Sequence, residues 1–153
     1  MDALIVRWNT MFEFWTSGPI WKKSAYNTMW CLIGCATGDL GTIAYFQIAG
    51  IKWPTLSIML LAMVNGLITS ILLETFILIK RQRFPFIIAL RTALGMSFIA
   101  MLAMEIAMNT TDFIITGEAR LTLTAIVPIL VAGFVTPWPY NYWRLKKLGL
   151  SCH

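Results

Sequence analysis

Charged residues are scarce in this chain. Asp, Glu, Lys and Arg make up 12% of its 153 residues, whereas 58% of the residues are hydrophobic. A typical soluble domain has about 25% charged and about 45–50% apolar residues. With half the usual charge, the chain lacks the polar surface that a small soluble protein needs. The composition therefore argues against a soluble enzyme and against a disordered chain.

Histidine and cysteine are rare as well. His153 is the single histidine and the last residue, which rules out a His-containing catalytic triad or a His-ligated haem pair in the core. Of the three cysteines, Cys31 and Cys35 lie inside an apolar run, so the cysteines do not form a disulfide framework. We expect Cys152 and His153 to form a frayed tail. No nucleophile–base pair or cofactor motif stands out, and we predict that the protein is not an enzyme.

Long apolar runs occupy most of the sequence. A membrane helix needs roughly 20 apolar residues, and four runs are long enough, over about 24–50, 55–79, 84–108 and 121–142. We expect Pro128 to kink the fourth. The sequence predicts an all-α, polytopic membrane protein: a four-transmembrane-helix bundle that forms one domain over 24–147, with a short tail over 148–153.

The first 23 residues do not form a membrane span. Apolar residues recur at helical spacing between Leu4 and Trp15, and Arg7 and Glu13 occupy the other side. This pattern predicts an N-terminal amphipathic helix in the membrane interface, ended by Gly18 and Pro19. A helix packed across the end of the bundle is the alternative. The segment lacks the basic start and cleavage site of a signal peptide, so we expect it to be retained.

The basic residues predict the orientation. Of 12 Lys and Arg residues, only Lys52 and Arg120 fall on one side of the predicted spans, and Arg91 lies within the third. The Lys- and Arg-rich side is expected to be cytoplasmic, which places both termini in the cytoplasm and the protein in the inner (plasma) membrane. The expected partners are the lipid bilayer and, in addition, a second copy or a larger membrane complex. No basic–aromatic patch indicates nucleic acid.

A polar face interrupts the first span. Cys31, Cys35 and Asp39 are spaced at i, i+4 and i+8, which places them on one face of a helix. Two thiols one turn apart can bind a soft ion such as Cu(I) or Zn(II). The alternative is that both cysteines are small buried residues in a tight helix interface, which Gly34 and Gly38 favour. Close helix packing does not explain why a carboxylate, Asp39, occurs on this face.

The third span carries a second stripe of candidate ligands. Its members recur at helical spacing: Met101, Met104, Glu105, Met108 and Asp112. Met59 and Met63 of the second span are expected to join them in one layer near the outer face. Thioethers are soft ligands that suit Cu(I) or Ag(I). Flexible core packing is the favoured alternative for a methionine stripe.

Further polar residues are predicted inside the membrane. Glu74 and Arg91 are expected at similar depths, so a buried, structural Glu74–Arg91 pair is the simplest interpretation. The alternative is an ion or proton relay. Asn65 is expected to bridge helices.

Two segments resemble a known family. The segment CLIGCATGD over 31–39 and the segment PYNYWRLKK over 139–147 are similar to the signature and the C-terminal pattern of a bacterial integral membrane family, the domain of unknown function 4396. The resemblance covers roughly residues 24 to 147. Trp30 stands where members of that family often have a histidine. The resemblance implies a membrane class and no activity.

Three functions are compatible with these patterns. The first is binding or moving a soft metal ion, with copper as the suggested cofactor. Its candidate ligands are Cys31, Cys35, Asp39, Met101, Met104, Glu105 and Met108, and Glu74 and Arg91 are the candidate relay. The second is a non-enzymatic accessory or structural subunit of a larger membrane complex. The third is a proton-coupled transporter of a small solute.

Overall fold

Five helices make up the computed structural model, which describes residues 13–149. They are α1 (Gly18–Ala49), α2 (Thr55–Gln82), α3 (Phe86–Thr116), α4 (Leu123–Val135) and α5 (Trp138–Leu148). No β-strand occurs in 13–149. Four stretches are long and apolar enough to cross a membrane: α1, α2, the Ser97–Thr116 part of α3, and Leu123–Lys147. The predicted all-α architecture with four spans is confirmed.

Glycine and proline determine where the helices begin and end. Pro19 lies in the first turn of α1, where its missing N–H breaks no helical hydrogen bond. Gly50 and Gly117 end α1 and α3 with positive φ angles of 65° and 73°, a conformation that favours glycine. The membrane helices consequently extend beyond the predicted spans. α1 begins at Gly18 rather than at residue 24, and α3 continues to Thr116 rather than ending at residue 108.

The fourth span consists of two helices. α4 runs through Pro128 and ends at Val135, and α5 begins at Trp138. The helix is therefore interrupted at Thr136–Pro137, whereas it is continuous through Pro128, where the kink stays a prediction. Pro137 and Pro139 both lack the N–H that would continue the helical ladder, and two such losses within three residues favour a break.

Helix α1 is the centre of the bundle. It contacts each of the other four helices and packs most extensively against α2. Gly34 and Gly38 allow this approach, because a Cβ on Gly34 would lie 2.6 Å from the Ser70 Cα. The predicted close helix interface is confirmed. Asn65 bridges the two helices as predicted, donating from Nδ2 to the Thr42 Oγ1 at 2.9 Å.

An aromatic cluster joins α5 to the beginning of α1. Tyr142 is fully buried, and its ring stacks on Trp21 and Trp15 with centroids 4.1 and 5.1 Å apart. The Trp138 Nε1 donates to the Ser24 Oγ at 3.1 Å. Part of this aromatic C-terminal segment thus packs inside the protein. The predicted interfacial helix lies mostly outside the described residues, of which 13–15 are helical.

Candidate functional site

One face of α1 carries the candidate site. Cys31, Cys35 and Asp39 are all buried, with exposed fractions of 1%, 0% and 1%. The shared face predicted from their spacing is confirmed. Eight residues of helix span about 12 Å, so the three side chains occupy three successive depths of the bundle. Each depth pairs the α1 residue with a polar residue of another helix.

At the first depth, Cys31 meets Glu74 of α2. The Cys31 thiol donates to the Glu74 Oε1 at an Sγ–O distance of 2.5 Å, and the Glu74 side chain is fully buried. The Ser70 hydroxyl, one turn away on α2, donates to the Cys31 carbonyl oxygen at 3.2 Å. The thiol and the carboxyl group are therefore held in contact by the α1–α2 interface.

At the second depth, Cys35 meets Glu105 of α3. The two side chains interact. Neither Glu105 oxygen makes a hydrogen bond of standard geometry within the described residues. Gly66 of α2 provides the space, because a Cβ there would collide with the Glu105 Oε1 and would lie 3.0 Å from the Cys35 carbonyl oxygen. A glycine thus admits a fully buried carboxyl group between three helices.

At the third depth, Asp39 meets Asn109 of α3. The Asn109 Nδ2 donates to the Asp39 Oδ1 at 2.9 Å and to the Glu105 carbonyl oxygen at 3.2 Å. Asp112 follows on the same face of α3, is 1% exposed and interacts electrostatically with Asp39. The sequence analysis missed Asn109. Its position one turn after Glu105, on the same stripe, was the signal that could have found it.

Three methionines surround the cysteines. Met101, Met104 and Met108 are fully buried and pack in one cluster with Cys31 and Cys35. The sequence predicted these methionines in one layer with Met59 and Met63 near the outer face, whereas the structure packs them against the cysteines of α1. α3 continues eight residues beyond its predicted end, so the stripe lies at mid-helix. Because α1 and α3 cross the bundle in the same direction, the stripe reaches the depth of the cysteines.

The expected layer of five thioethers is divided. Met59 and Met63 lie outside the cysteine cluster and line a groove of about 490 Å³ on another side of the bundle. Ile106, Asn109 and Phe113 of α3 form the other wall. Asn109 thus lines this groove and also donates to Asp39.

Arg91 lies on the outside of the bundle. Its side chain is exposed and lines a surface groove with Ile87, Thr92 and Gly95. The predicted buried Glu74–Arg91 pair is therefore wrong. Ala89 and Ala93 are the buried residues of this part of α3. Arg91 is two residues from each, about 200° around the helix, and so faces away from the core.

The acidic and thiol groups do not form a closed metal cage by themselves. Within residues 13–149, no three His, Cys, Asp or Glu side chains are grouped so that they could hold a metal ion. Cys152 and His153 lie outside the described residues. A metal ion at the cysteines would therefore depend on the methionine sulfurs to complete its ligand set, and the metal site stays a prediction.

A protein-family model described as a domain of unknown function, DUF4396, matches residues 20–149. The chain belongs to this family. The DUF4396 match begins in the first turn of α1, at Ile20, and extends to the end of α5. It includes every residue of the three depths and confirms the resemblance seen in the sequence. No curated protein and no solved structure matches the chain. The DUF4396 match assigns no activity, so the non-enzymatic role, the second copy and the larger complex stay predictions.

Proposed function

We propose that this membrane protein binds a soft monovalent metal ion, Cu(I), at the centre of its bundle and moves it across the membrane. One observation carries the proposal. Two thiols and three thioethers, from Cys31, Cys35, Met101, Met104 and Met108, share a single buried cluster. Thiolates and thioethers are the ligands that select Cu(I).

The ligand set favours a soft ion over a hard one. Zn²⁺ in proteins takes tetrahedral sets of Cys, His and carboxylate ligands. The described residues hold no group of three such side chains. Cu(I) accepts thioether sulfur, so methionines can complete the coordination that Cys31 and Cys35 begin. A bound cation also favours deprotonation of a thiol ligand.

The carboxyl groups support movement of a cation rather than storage alone. A positive charge at the bilayer centre is unfavourable unless opposite charges or polar groups accompany it. Asp39, Glu105 and Glu74 are buried at the three successive depths of α1. A cation that passes from Asp39 to Cys35 and then to Cys31 would meet one carboxyl group at each step. We place the end of the bundle that carries Glu74 and the basic residues in the cytoplasm of a cell with an inner membrane.

Replacing both cysteines is expected to abolish soft-metal binding. The Cys31→Ser/Cys35→Ser variant of the purified protein should bind Ag(I) or Cu(I) at least about 100-fold more weakly than the unchanged protein. Mutating residues that only hydrogen-bond to metal ligands typically lowers metal affinity about 10–100-fold. The loss expected here is larger, because the variant removes the ligands themselves. The measurement is a competitive titration against a Cu(I) chelator in detergent.

Cys152→Ser is the matched control, because Cys152 is the remaining cysteine of the sequence and is not one of the proposed ligands. The control variant should retain the affinity of the unchanged protein. Equal affinities for the double variant and the unchanged protein would remove the cysteines from the site. Elution at the same volume in gel filtration establishes that each variant is folded.

The row of carboxyl groups supports a second candidate, proton-coupled transport of a small solute. Asn109 donates to the Asp39 carboxyl group and to the backbone carbonyl of Glu105, so the Asp39 carboxyl group is held beside the turn of α3 that carries Glu105. Buried carboxyl chains of this kind serve as proton relays in pumps and transporters.

For this candidate, Glu105→Gln is expected to abolish proton movement, because the amide cannot exchange a proton. A pH-sensitive dye inside proteoliposomes measures the flux under an imposed membrane potential. Glu118→Gln is the control, because Glu118 is exposed and pairs with Arg120 at 3.5 Å outside the row. Equal flux in liposomes with and without the unchanged protein would contradict this function.

A further inference from the structure

A cleft opens between α1 and α2 near the end of α2. It has a volume of about 130 Å³ and is lined by Trp30, Phe76, Ile77, Lys80 and Arg81. We call it the Arg81 cleft. The two cations, Lys80 and Arg81, lie in the last turn of α2. Phe76 and Ile77 lie one turn earlier in α2, farther from the end of the helix. We propose that the Arg81 cleft binds an anionic phospholipid by its phosphate group.

Aromatic side chains hold both cations in place. The Arg81 Nη2 donates to the Tyr26 hydroxyl at 3.0 Å, and its guanidinium carbon lies 5.8 Å from the Tyr26 ring centroid. The Lys80 ammonium lies 5.4 Å from the Phe76 ring centroid. Contacts with aromatic faces orient a cation without neutralising its charge. The guanidinium is therefore positioned while most of its five donors stay available.

Among the described residues, no carboxylate forms an ion pair with Lys80 or Arg81. Within residues 13–149, the ion pair that the structure contains is Arg120–Glu118, which lies at the opposite end of the bundle. Lys22 adds a further positive charge one turn before Tyr26 on α1. An anion is thus the complementary ligand, and a planar guanidinium is suited to binding a phosphate through two parallel hydrogen bonds.

The apolar part of the cleft favours a lipid over free phosphate. Phe76 is 56% exposed and lies one turn deeper in the bundle than Lys80, beside Ile77 and Trp30. The Phe76 and Ile77 side chains carry no polar atom that could bind a free anion, but they provide a surface for acyl chains. A headgroup at the cations and chains along Phe76 match the two ends of a phospholipid.

The test is lipid retention by the full-length protein. Nanodiscs of phosphatidylcholine with a minor fraction of phosphatidylglycerol are prepared, and the lipid that stays bound is counted by native mass spectrometry. The unchanged protein should retain phosphatidylglycerol preferentially. Arg81→Gln should weaken retention about tenfold, which corresponds to losing about 1.4 kcal/mol from a charge-assisted contact. Tyr26→Phe, which frees the guanidinium, should weaken it to a smaller degree.

Arg83→Gln is the matched control, because Arg83 is an exposed cation two residues away that does not line the cleft. It should leave retention unchanged. Equal losses in Arg83→Gln and Arg81→Gln would show diffuse attraction and overturn the site. Equal retention of the two lipids would overturn it as well. If inorganic phosphate at the concentration of the lipid displaced the phosphatidylglycerol, the ligand would be a free anion, and the proposal of a lipid site would be overturned. None of these outcomes depends on metal binding.

Discussion

Replacing Gly38 with alanine is expected to force α1 away from α2 and to destabilise the protein by about 1–3 kcal/mol, the usual effect of adding a methyl group to a filled interface. A Cβ at this position would collide with the Thr69 Oγ1 and the Asn65 carbonyl oxygen, and it would lie 2.6 Å from the Asn65 carbonyl carbon. A side chain can rotate away from such a contact, but the backbone of α2 can only move as a whole. Thermal unfolding in detergent measures the effect.

Gly41→Ala provides the matched control. Gly41 lies three residues later on α1, and no atom lies within 4 Å of the Cβ that alanine would add. Alanine there should leave the unfolding temperature unchanged or raise it slightly, because alanine favours helix over glycine. Equal unfolding temperatures for the two variants would contradict the packing described for the α1–α2 interface.

The Gly38→Ala variant is also expected to affect the candidate site. Gly38 lies next to Asp39 and three residues after Cys35, so a displacement of α1 at Gly38 moves both side chains relative to α3. We expect Gly38→Ala to weaken Ag(I) binding together with stability. Gly41→Ala should leave both unchanged.

Replacing Tyr142 with alanine is expected to destabilise the protein by about 3–5 kcal/mol, the range for removing a large buried aromatic ring. The ring is fully buried and stacks on both Trp15 and Trp21. Its hydroxyl donates to the Phe14 carbonyl oxygen at 2.5 Å and accepts from the Ser17 N–H at 3.2 Å. Alanine would leave a cavity and two backbone groups without this partner. Chemical unfolding in mixed micelles, followed by tryptophan fluorescence, measures the loss.

Two comparisons separate the ring from its hydroxyl. Tyr142→Phe keeps the ring and should lose about 0.5–1.5 kcal/mol for each hydrogen bond removed. Tyr140→Ala removes a partly buried tyrosine of the same helix, which stacks on Trp143 at 6.0 Å, and should have a smaller effect than Tyr142→Ala. If Tyr140→Ala lowered the free energy of unfolding as much as Tyr142→Ala, the result would contradict a special role of the Tyr142 cluster in stabilising this end of the bundle.

Residue periodicity was sufficient to predict which side chains of α1 face inward. Cys31, Cys35 and Asp39 share a face because their spacing matches the helical repeat, and this holds for any straight helix. The close approach at Gly34 and Gly38 was predicted for a similar reason, since small residues four apart permit helix contact. Such properties depend on one helix alone, so a single sequence reveals them.

Depth and rotation of one helix relative to another were not predictable in this way. The packing of the methionine stripe against the cysteines was not predicted, because apolar length underestimated α3. Asn109 and Asp112 continue this helix as buried polar residues. Arg91 was expected in the core because its depth was considered without its rotation. The Arg91 side chain instead lines a groove at the surface of the bundle. The Glu74 carboxyl group accepts a hydrogen bond from the Cys31 thiol.

The sequence by itself determined the class of protein, the number of membrane helices and the inward face of α1, because hydrophobic length and the 3.6-residue repeat are local properties of the chain. Only the tertiary structure decided that each polar residue of that face has its own partner: Glu74 for Cys31, Glu105 for Cys35 and Asn109 for Asp39. The physical reason is that these partners lie on other helices. Their distances depend on how closely glycines such as Gly66 allow those helices to approach.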